Sequence, residues 1–587
     1  MIHSQLSMWL RAFPRPAGRP ICGTAMGFGR WGLLGLVALG LGICAAAADD
    51  GRPSPPDMDP SKKSISIGIQ QEPDNLHPVF MQMSASSEIA GDILRPGPIF
   101  VGLTVRGSDW QLRPLLAEAI PTVANGQWKI DPEKRTMTTV WHIRKEACWE
   151  DGTPLTADDF VFAFQVKSDV NVPVSDNTME KRIREMRAEG PDRKTLVVEW
   201  KELYAYADES HMALPRHIEE SVYRKNPIAY KETPYCRTPV GNGPYKLKEW
   251  VAGSHIILER NPNWWGPAPR LDQLIYKIIP DTNTLVANLQ AGVLDVISPV
   301  GISFDQALEI DKHPVEGFEV IFTPGLVWEH IDFNLDSPIV GDKRVRHALQ
   351  YAIDREKMVK EYFEGRQEAA HSWLPPKHYG YHPNLPKYGY DLKKAAALLE
   401  EAGWKKGADG VRVNAKGEPL ALTIITTAGN KVRENIEQIL SAQWKRIGVQ
   451  LKIANQDANV FFDRLSRREY PHLAMYAWTM DPNSDGENMW TEAQIPSQAN
   501  GWVGQNNPGL RHPEIDRIDH LIPVTLDKAK RIELFHQEQA LWVEELPSIL
   551  LYFRTEGTVV RKSLRGWLPT GTSTGVTWNC NDWYFAK

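Results

Sequence analysis

A short apolar run near the N-terminus, behind a basic segment, most constrains where this chain folds. Apolar residues dominate positions 31–43, arginines precede them, and four alanines follow Cys44. Thirteen residues span about 20 Å as a helix, which is short of the roughly 30 Å hydrocarbon core of a membrane. The pattern therefore predicts a cleaved secretory signal over residues 1–48, so the mature chain folds outside the cytoplasm.

The signal has two candidate processing sites. Ala46 and Ala48 fit a small-x-small cleavage rule that leaves Asp49 at the new terminus, and this is the site we expect. The alternative is a lipoprotein signal in which Cys44 is acylated and tethers the protein to the membrane. The segment before the apolar run is long for a signal, so Met26 is a second candidate start of translation.

Composition narrows the class of protein. The chain has 587 residues, 42% hydrophobic and 24% charged, which indicates globular domains with substantial cores. This length exceeds what one core fills, so we expect two or three domains. The net charge of -6 is small, and no Lys/Arg cluster occurs after the signal, so we expect no nucleic-acid partner. Cys148, Cys236 and Cys580 match no zinc spacing and allow at most one disulfide.

Period-two alternation of apolar residues predicts β-strands after a Pro-rich, polar linker at residues 49–63. Two of them are separated by a turn at Gly253, which predicts a hairpin. The predicted strands are Ser64–Gln70, Thr138–Arg144, Leu196–Trp200, Tyr245–Val251, His255–Asn261 and Leu473–Met480.

Three segments have the spacing and the capping residues of helices. Each begins after a polar residue whose side chain can accept a hydrogen bond from the first backbone N–H groups of the helix. The predicted helices follow Thr156 (apolar stretch Phe160–Val166), Asp342 (Lys343–Glu364, stopped by Gly365) and Asp391 (Leu392–Ala402, stopped by Gly403). Strands and helices are mixed throughout, which indicates an α/β class.

A G-x-S-x-G pattern centred on Ser573 raises the alternative of an exported serine hydrolase. That pattern is catalytic when a strand precedes the serine and a helix follows it, because the tight turn exposes the hydroxyl. Here Pro569 and Gly571 precede Ser573, and a Trp-containing, non-helical tail follows. We therefore interpret the match as a Gly/Thr loop and expect no enzyme.

Residues 481–492 fit the D-x-[DN]-x-[DN]-G-x5-E pattern of a calcium-binding loop. Asn488 stands where a branched apolar residue belongs, and the segment before Asp481 predicts a strand instead of an entering helix. A calcium-binding module is therefore the weaker interpretation, and we expect no metal and no cofactor.

Four long segments carry signatures of one protein family and occur in that family's order. They are Trp149–Asp159 (WEDGTPLTADD), Gly241–Tyr245 (GNGPY) followed by Arg260–Trp265, Asp342–Arg355 (DKRVRHALQYAIDR) and Tyr390–Trp404 (YDLKKAAALLEEAGW). Together they resemble the family 5 extracellular solute-binding proteins, which include dipeptide, oligopeptide and nickel receptors of ABC importers. Asn242 replaces the threonine that is usual in the second signature.

The resemblance implies an α/β, two-lobed periplasmic-binding-protein fold (type II, cluster C-like) with an inserted subdomain in the first lobe. Residues 64–280 and 547–587 would form that lobe, with the insertion near 91–190, and residues 281–546 the second lobe. The crossings would lie at Pro280–Asp281 and Pro547–Ser548. A ligand that contacts both lobes would favour their closure.

The resemblance also implies a ligand and a site. Peptide receptors of the family hold the ligand amine with the aspartate of a W-x-x-D stretch, which matches Trp478, Thr479, Met480 and Asp481 here. Met475 stands where some relatives carry an arginine for the peptide carboxylate. Aromatic residues complete the expected ligand-binding set with Trp490 and Trp373.

We therefore expect a monomeric, periplasmic or otherwise extracytoplasmic receptor that passes short peptides to an ABC permease. The alternative solutes are a nickel chelate, haem, an oligosaccharide or an opine-like compound.

Overall fold

The computed structural model describes residues 52–80, 93, 97–174, 177–572 and 575–587. All of them belong to one folded unit. The predicted signal, with the alternatives at Cys44 and Met26, lies outside the described residues. Within the described ranges, no helix combines the length and the apolar character that a membrane crossing requires.

An eleven-stranded mixed sheet forms the centre of the described chain. In spatial order, its strands are Gln450–Ile453, Ala421–Ile425, Leu473–Thr479, Phe318–Phe333, Ser548–Arg561, Val296–Ile297, Ser64–Ile69, Gln273–Ile278, His255–Arg260 and Tyr245–Val251, and Glu368–Ala369 pairs with Ser548–Arg561. A separate four-stranded sheet, the inserted sheet, has the order Trp128–Asp131, Thr136–His142, Thr195–Trp200 and Ile183–Glu189.

Three two-stranded sheets and a set of helices complete the fold. The small sheets pair Thr104–Arg106 with Leu112–Pro114, Lys405–Lys406 with Arg412–Val413, and Leu564–Arg565 with Tyr584–Phe585. The helices are Ala157–Ser168, Thr178–Arg182, Arg216–Lys225, Thr282–Gln290, Phe304–Lys312, Lys343–Tyr351, Arg355–Lys357, Leu392–Glu401, Lys431–Lys445, Ala458–Ser466, Glu487–Trp490, Pro513–Leu521 and Lys528–Glu545, with a π-helical turn at Met358–Tyr362.

Two long antiparallel strands, Phe318–Phe333 and Ser548–Arg561, lie side by side in the middle of the central sheet. One end of this pair lies beside Val296–Ile297, and the other lies beside Leu473–Thr479. The register between the two strands shifts between Pro324 and Trp328 and again between Glu329 and His330, and we call the first of these the register shift. Such an irregularity bends and twists a strand pair locally.

The buried side chains fall mainly on two sides of this shift. One large cluster draws its members from residues 65–296 and 560–585. The other draws its members from residues 326–553, with Trp110 as the one contribution from earlier in the chain. Leu285 and Leu289 belong to a smaller cluster with Ile297 and Val559. The crossings at Pro280–Asp281 and Pro547–Ser548 stay predictions.

The predicted hairpin turn and the predicted starts of two helices are confirmed. The hairpin turns at Gly253 with a φ of 69°, in the left-handed region that glycine adopts without strain. Asp391 accepts hydrogen bonds from the backbone N–H groups of Lys393 and Lys394 at 3.0 and 2.9 Å, as a helix cap does. Thr156 precedes its helix, and its N–H donates to Asp159.

One helix prediction is wrong. The predicted helix Lys343–Glu364 stops at Tyr351, and a short helix and a π-helical turn follow from Arg355. The cause is Asp354, because its backbone N–H donates to the side chain of Gln443 at 3.0 Å instead of to a helical carbonyl. Its own carboxylate then caps the next turn by accepting from the Lys357 N–H at 3.1 Å.

Candidate functional site

The candidate site begins where strand Leu473–Thr479 leaves the central sheet. Thr479 pairs with Val327, and the Met480 N–H donates to the carbonyl of Leu326 at 3.0 Å. Pro482 lacks an N–H, so the ladder cannot continue past it. Asp481 is exposed at this end, and its backbone N–H donates to the Ser484 hydroxyl at 2.7 Å. The segment 481–487 thus turns away from the sheet beside the register shift.

The six predicted ligand residues divide into two groups. Thr479 and Asp481 are exposed and Trp478 is half-buried, so these three lie together at the strand end. Met480, Trp490 and Trp373 are buried in the second large cluster.

Trp490 and Trp373 contribute to the core packing of that cluster. The Trp490 ring lies 5.9 Å from the Trp373 ring and 5.2 Å from the Trp542 ring. Trp373 donates its indole N–H to the buried carboxylate of Glu538 at 3.0 Å. A ligand-binding role stays a prediction for all six residues.

The segment 204–209, which precedes the helix Arg216–Lys225, faces this site from the other large cluster. The Ala205 N–H donates to the carbonyl of Pro523 at 2.6 Å. The Tyr206 and Tyr379 hydroxyls are 3.4 Å apart, and Asn483 donates to Glu209. The sequence analysis missed this surface, because its contacts join residues more than 150 positions apart and no spacing pattern indicates them.

Carboxyl groups dominate the electrostatics of this surface. Burial raises the pKa of Glu209 to about 7, Arg106 opposes this, and repulsion by Asp208 and Asp481 adds to it. Burial likewise raises the pKa of Asp485 to about 7, and the Glu487 carboxylate adds to the shift. Both carboxyl groups therefore keep their protons to a higher pH than ordinary carboxyl groups do.

The structure bears differently on the two alternative functions, the serine hydrolase and the calcium-binding module. Ser573 lies outside the described residues, so the hydrolase pattern has no structural description. Among the described residues, no group of three or more His, Cys, Asp or Glu side chains is arranged to hold a metal ion. In the calcium-like loop, Asn483 and Glu487 contact Glu209 and Arg182, and the Glu492 N–H donates to Asp516.

The two large clusters of buried side chains, joined by the two long strands, indicate a two-lobed architecture. The family model for the bacterial extracellular solute-binding proteins, family 5 (middle region), matches residues 113–497. The chain belongs to this family, which confirms the predicted family, fold class and extracytoplasmic, non-enzymatic role.

Several relatives have names that state a ligand. The chain is 28% identical over 457 residues to the oligopeptide-binding protein AppA of Bacillus subtilis (strain 168), covering 76% of this chain and 80% of that relative. It is 25% identical over 486 residues to the dipeptide-binding protein of Escherichia coli (strain K12), covering 77% and 84%. The crystal structure of an oligopeptide binding protein from Thermus thermophilus, complexed with a pentapeptide, matches with a TM-score of 0.70, 30% identity and coverage of 90% and 97%.

Proposed function

We propose that the protein captures a short peptide between its lobes and delivers it to an ABC permease. The observation that carries this proposal is the exposed carboxylate of Asp481, at a strand end that faces the segment 204–209. The relatives named as oligopeptide- and dipeptide-binding proteins support the choice of ligand class. We further propose that the protein acts as a monomer, since one chain contributes both faces of the site.

The chemistry of the site favours a free ammonium group. Asp481 is exposed here, but lobes closed over a ligand would shield its carboxylate from water. A shielded carboxylate attracts an ammonium group more strongly than one in bulk water does, and a charged hydrogen bond fixes its direction. Asp208, Glu209 and Asp485 would add negative potential when ionised. On the first-lobe side, Arg106 is the counter-charge of Asp208 and Glu209, and Arg182 is that of Asp485. An N-acetylated peptide has no charge to place there.

We propose that the two lobes move relative to each other at the register shift in the two long strands. On the first-lobe side, the part of the first strand up to Pro324 pairs with the part of the second strand from Thr555 onward. On the second-lobe side, the first strand from Trp328 onward pairs with the second strand up to Phe553. We place the two chain crossings at this shift, in preference to Pro280–Asp281 and Pro547–Ser548. Closure is then a bend of paired strands that a ligand touching both lobes stabilises.

Asp481→Asn tests the amine role. We expect it to weaken binding of free-amine tripeptides by about 10- to 100-fold, because a charge-assisted hydrogen bond contributes about 1.5–3 kcal/mol. N-acetylated tripeptides should lose little. Calorimetry with both peptide sets measures the difference.

The matched control for this test is Asp463→Asn. Asp463 is an exposed aspartate that pairs with Arg467 on a second-lobe helix, so both peptide sets should bind this variant normally. Equal loss of both peptide sets in Asp481→Asn would remove the amine role.

Mass spectrometry of the cargo that co-purifies with the native protein tests the ligand class. We expect short peptides, since a closed site releases its ligand slowly. A nickel chelate, haem, an oligosaccharide or an opine-like compound as the sole cargo would replace the peptide assignment and leave the receptor fold unaffected.

A further inference from the structure

Arg182 joins the inserted sheet to the second lobe. It is the last residue of helix Thr178–Arg182, directly before strand Ile183–Glu189 of that sheet. Its guanidinium forms an ion pair with the carboxylate of Glu487, which begins the second-lobe helix Glu487–Trp490. The two side chains are only 15% and 21% exposed, so water screens this pair less than it screens a surface pair.

Each partner is held firmly by its own lobe. Arg182 also pairs with Glu202 at 2.6 Å, and its guanidinium lies 5.0 Å from the ring of Tyr204. On the other side, the Glu487 N–H donates to the Asp485 carboxylate at 3.3 Å, and His520 lies 3.4 Å from the Glu487 carboxylate. These contacts restrict both partners within their own lobes, which lowers the entropy cost of forming the pair.

The pair anchors the segment that carries Asp481. Glu487 ends the segment 481–487, and near its start Asn483 donates to Glu209 of the first lobe. Two contacts to the first lobe therefore bracket the segment. They add to the Ala205–Pro523 hydrogen bond and the Tyr206–Tyr379 contact in holding the second lobe against the first lobe.

We propose that Arg182 is a positioning residue through which the inserted sheet holds the lobes closed over the ligand. This inference rests on the proposed receptor function, but it does not depend on the ligand being a peptide. Arg182 acts through Glu487, and the pair should slow ligand release without setting the preference for a free amine.

The kinetic test is a double-mutant cycle with tri-alanine as the probe. We expect Arg182→Gln and Glu487→Gln each to raise the dissociation rate about tenfold and to leave the association rate nearly unchanged. The double variant should dissociate no faster than either single variant, because both changes remove one interaction. Additive effects of the two changes would overturn the proposal.

Arg193→Gln is the matched control. Arg193 makes a two-pronged pair with Asp158, at 2.8 and 2.6 Å, within the same insertion. That pair crosses no lobe boundary, so this variant should release tri-alanine at the wild-type rate. A rise equal to that of Arg182→Gln would indicate a general loosening of the insertion and would overturn the positioning role.

A distance measurement tests closure without any ligand. Spin labels on cysteines introduced at Val170, which is 97% exposed, and at Val460, which is 50% exposed, report the separation of the insertion and the second lobe. We expect Arg182→Gln to shift the distribution of the ligand-free protein to longer distances, and Arg193→Gln to leave it unchanged. An unchanged distribution in Arg182→Gln overturns the proposal. If the native cargo is not a peptide, the peptide assignment fails and the distances still decide the role of Arg182.

Discussion

Glu329→Gln is expected to lower the free energy of unfolding by about 3–5 kcal/mol, because removing one partner of a buried ion pair leaves the other charge uncompensated. Glu329 is buried on one of the two long strands and accepts from Arg433 at 3.1 and 3.3 Å. Arg554 donates to the same carboxylate. Urea denaturation at neutral pH measures the loss.

The pH dependence of this loss has a definite sign. Burial alone would raise the pKa of Glu329, but Arg554 and Arg433 outweigh it and lower the pKa to about 2. The folded protein therefore binds fewer protons than the unfolded chain below the ordinary glutamate pKa. The stabilisation is fully present above about pH 5 and is lost as the pH falls toward 2, so the difference between wild type and variant should shrink over that range.

Glu220→Gln is the matched control for this prediction. Glu220 also lies between two arginines, Arg216 at 2.8 Å and Arg224 at 2.6 Å, but those arginines are 45% and 63% exposed. Its loss should cost less than about 1 kcal/mol. Equal losses for the two variants would contradict the argument that burial makes the Glu329 cluster costly to break.

The second large effect concerns two buried carboxyl groups, Asp519 and Glu538. Burial raises the pKa of both, and repulsion by Glu538 raises that of Asp519 further. Both carboxyl oxygens of Asp519 are buried without a hydrogen-bond partner among the described residues, so a neutral acid suits this position.

The double variant Asp519→Asn/Glu538→Gln should flatten the pH profile of stability. The folded protein holds more protons on this pair than the unfolded chain does above the ordinary carboxyl pKa, so stability falls as the pH rises. Each retained proton contributes about 1.4 kcal/mol per pH unit. We expect the wild type to lose more stability than the double variant between about pH 5 and pH 9, by at least 2 kcal/mol. Thermal unfolding across this range measures both profiles.

Glu514→Gln is the control, because Glu514 lies on the same helix as Asp519 but pairs with Arg517, and its pKa is lowered. Its profile should follow the wild type in this range. Parallel profiles for the wild type and the double variant would show that the buried pair is ionised when the protein folds.

Much of the fold was predictable because local chemistry determines it. Asp391 caps its helix through its side chain, the Thr156 N–H at the start of another helix donates to Asp159, and Gly253 permits the hairpin turn. The family signatures extended these local predictions to the two-lobed fold. The helix from Lys343 failed past Tyr351 because a distant side chain, Gln443, takes the Asp354 N–H, and no pattern within that segment indicates it.

The candidate site was only partly predictable. Its strand end at Asp481 followed from the resemblance, but the burial of Trp373 and Trp490 depends on packing against the distant helix Lys528–Glu545. The facing segment 204–209 carries no signature. Its contacts with Tyr379, Asn483 and Pro523 arise only when the central sheet brings distant parts of the chain together.

The two long strands have a mechanical consequence. They are hydrogen-bonded to each other on both sides of the shift at Pro324–Trp328, so neither strand can extend or rotate independently of the other. With the proposed crossings at this shift, the relative motion of the two large clusters is confined to essentially one degree of freedom, the bending of a double-stranded ribbon. Any pair of reporters placed across it should follow the same coordinate with a single relaxation time.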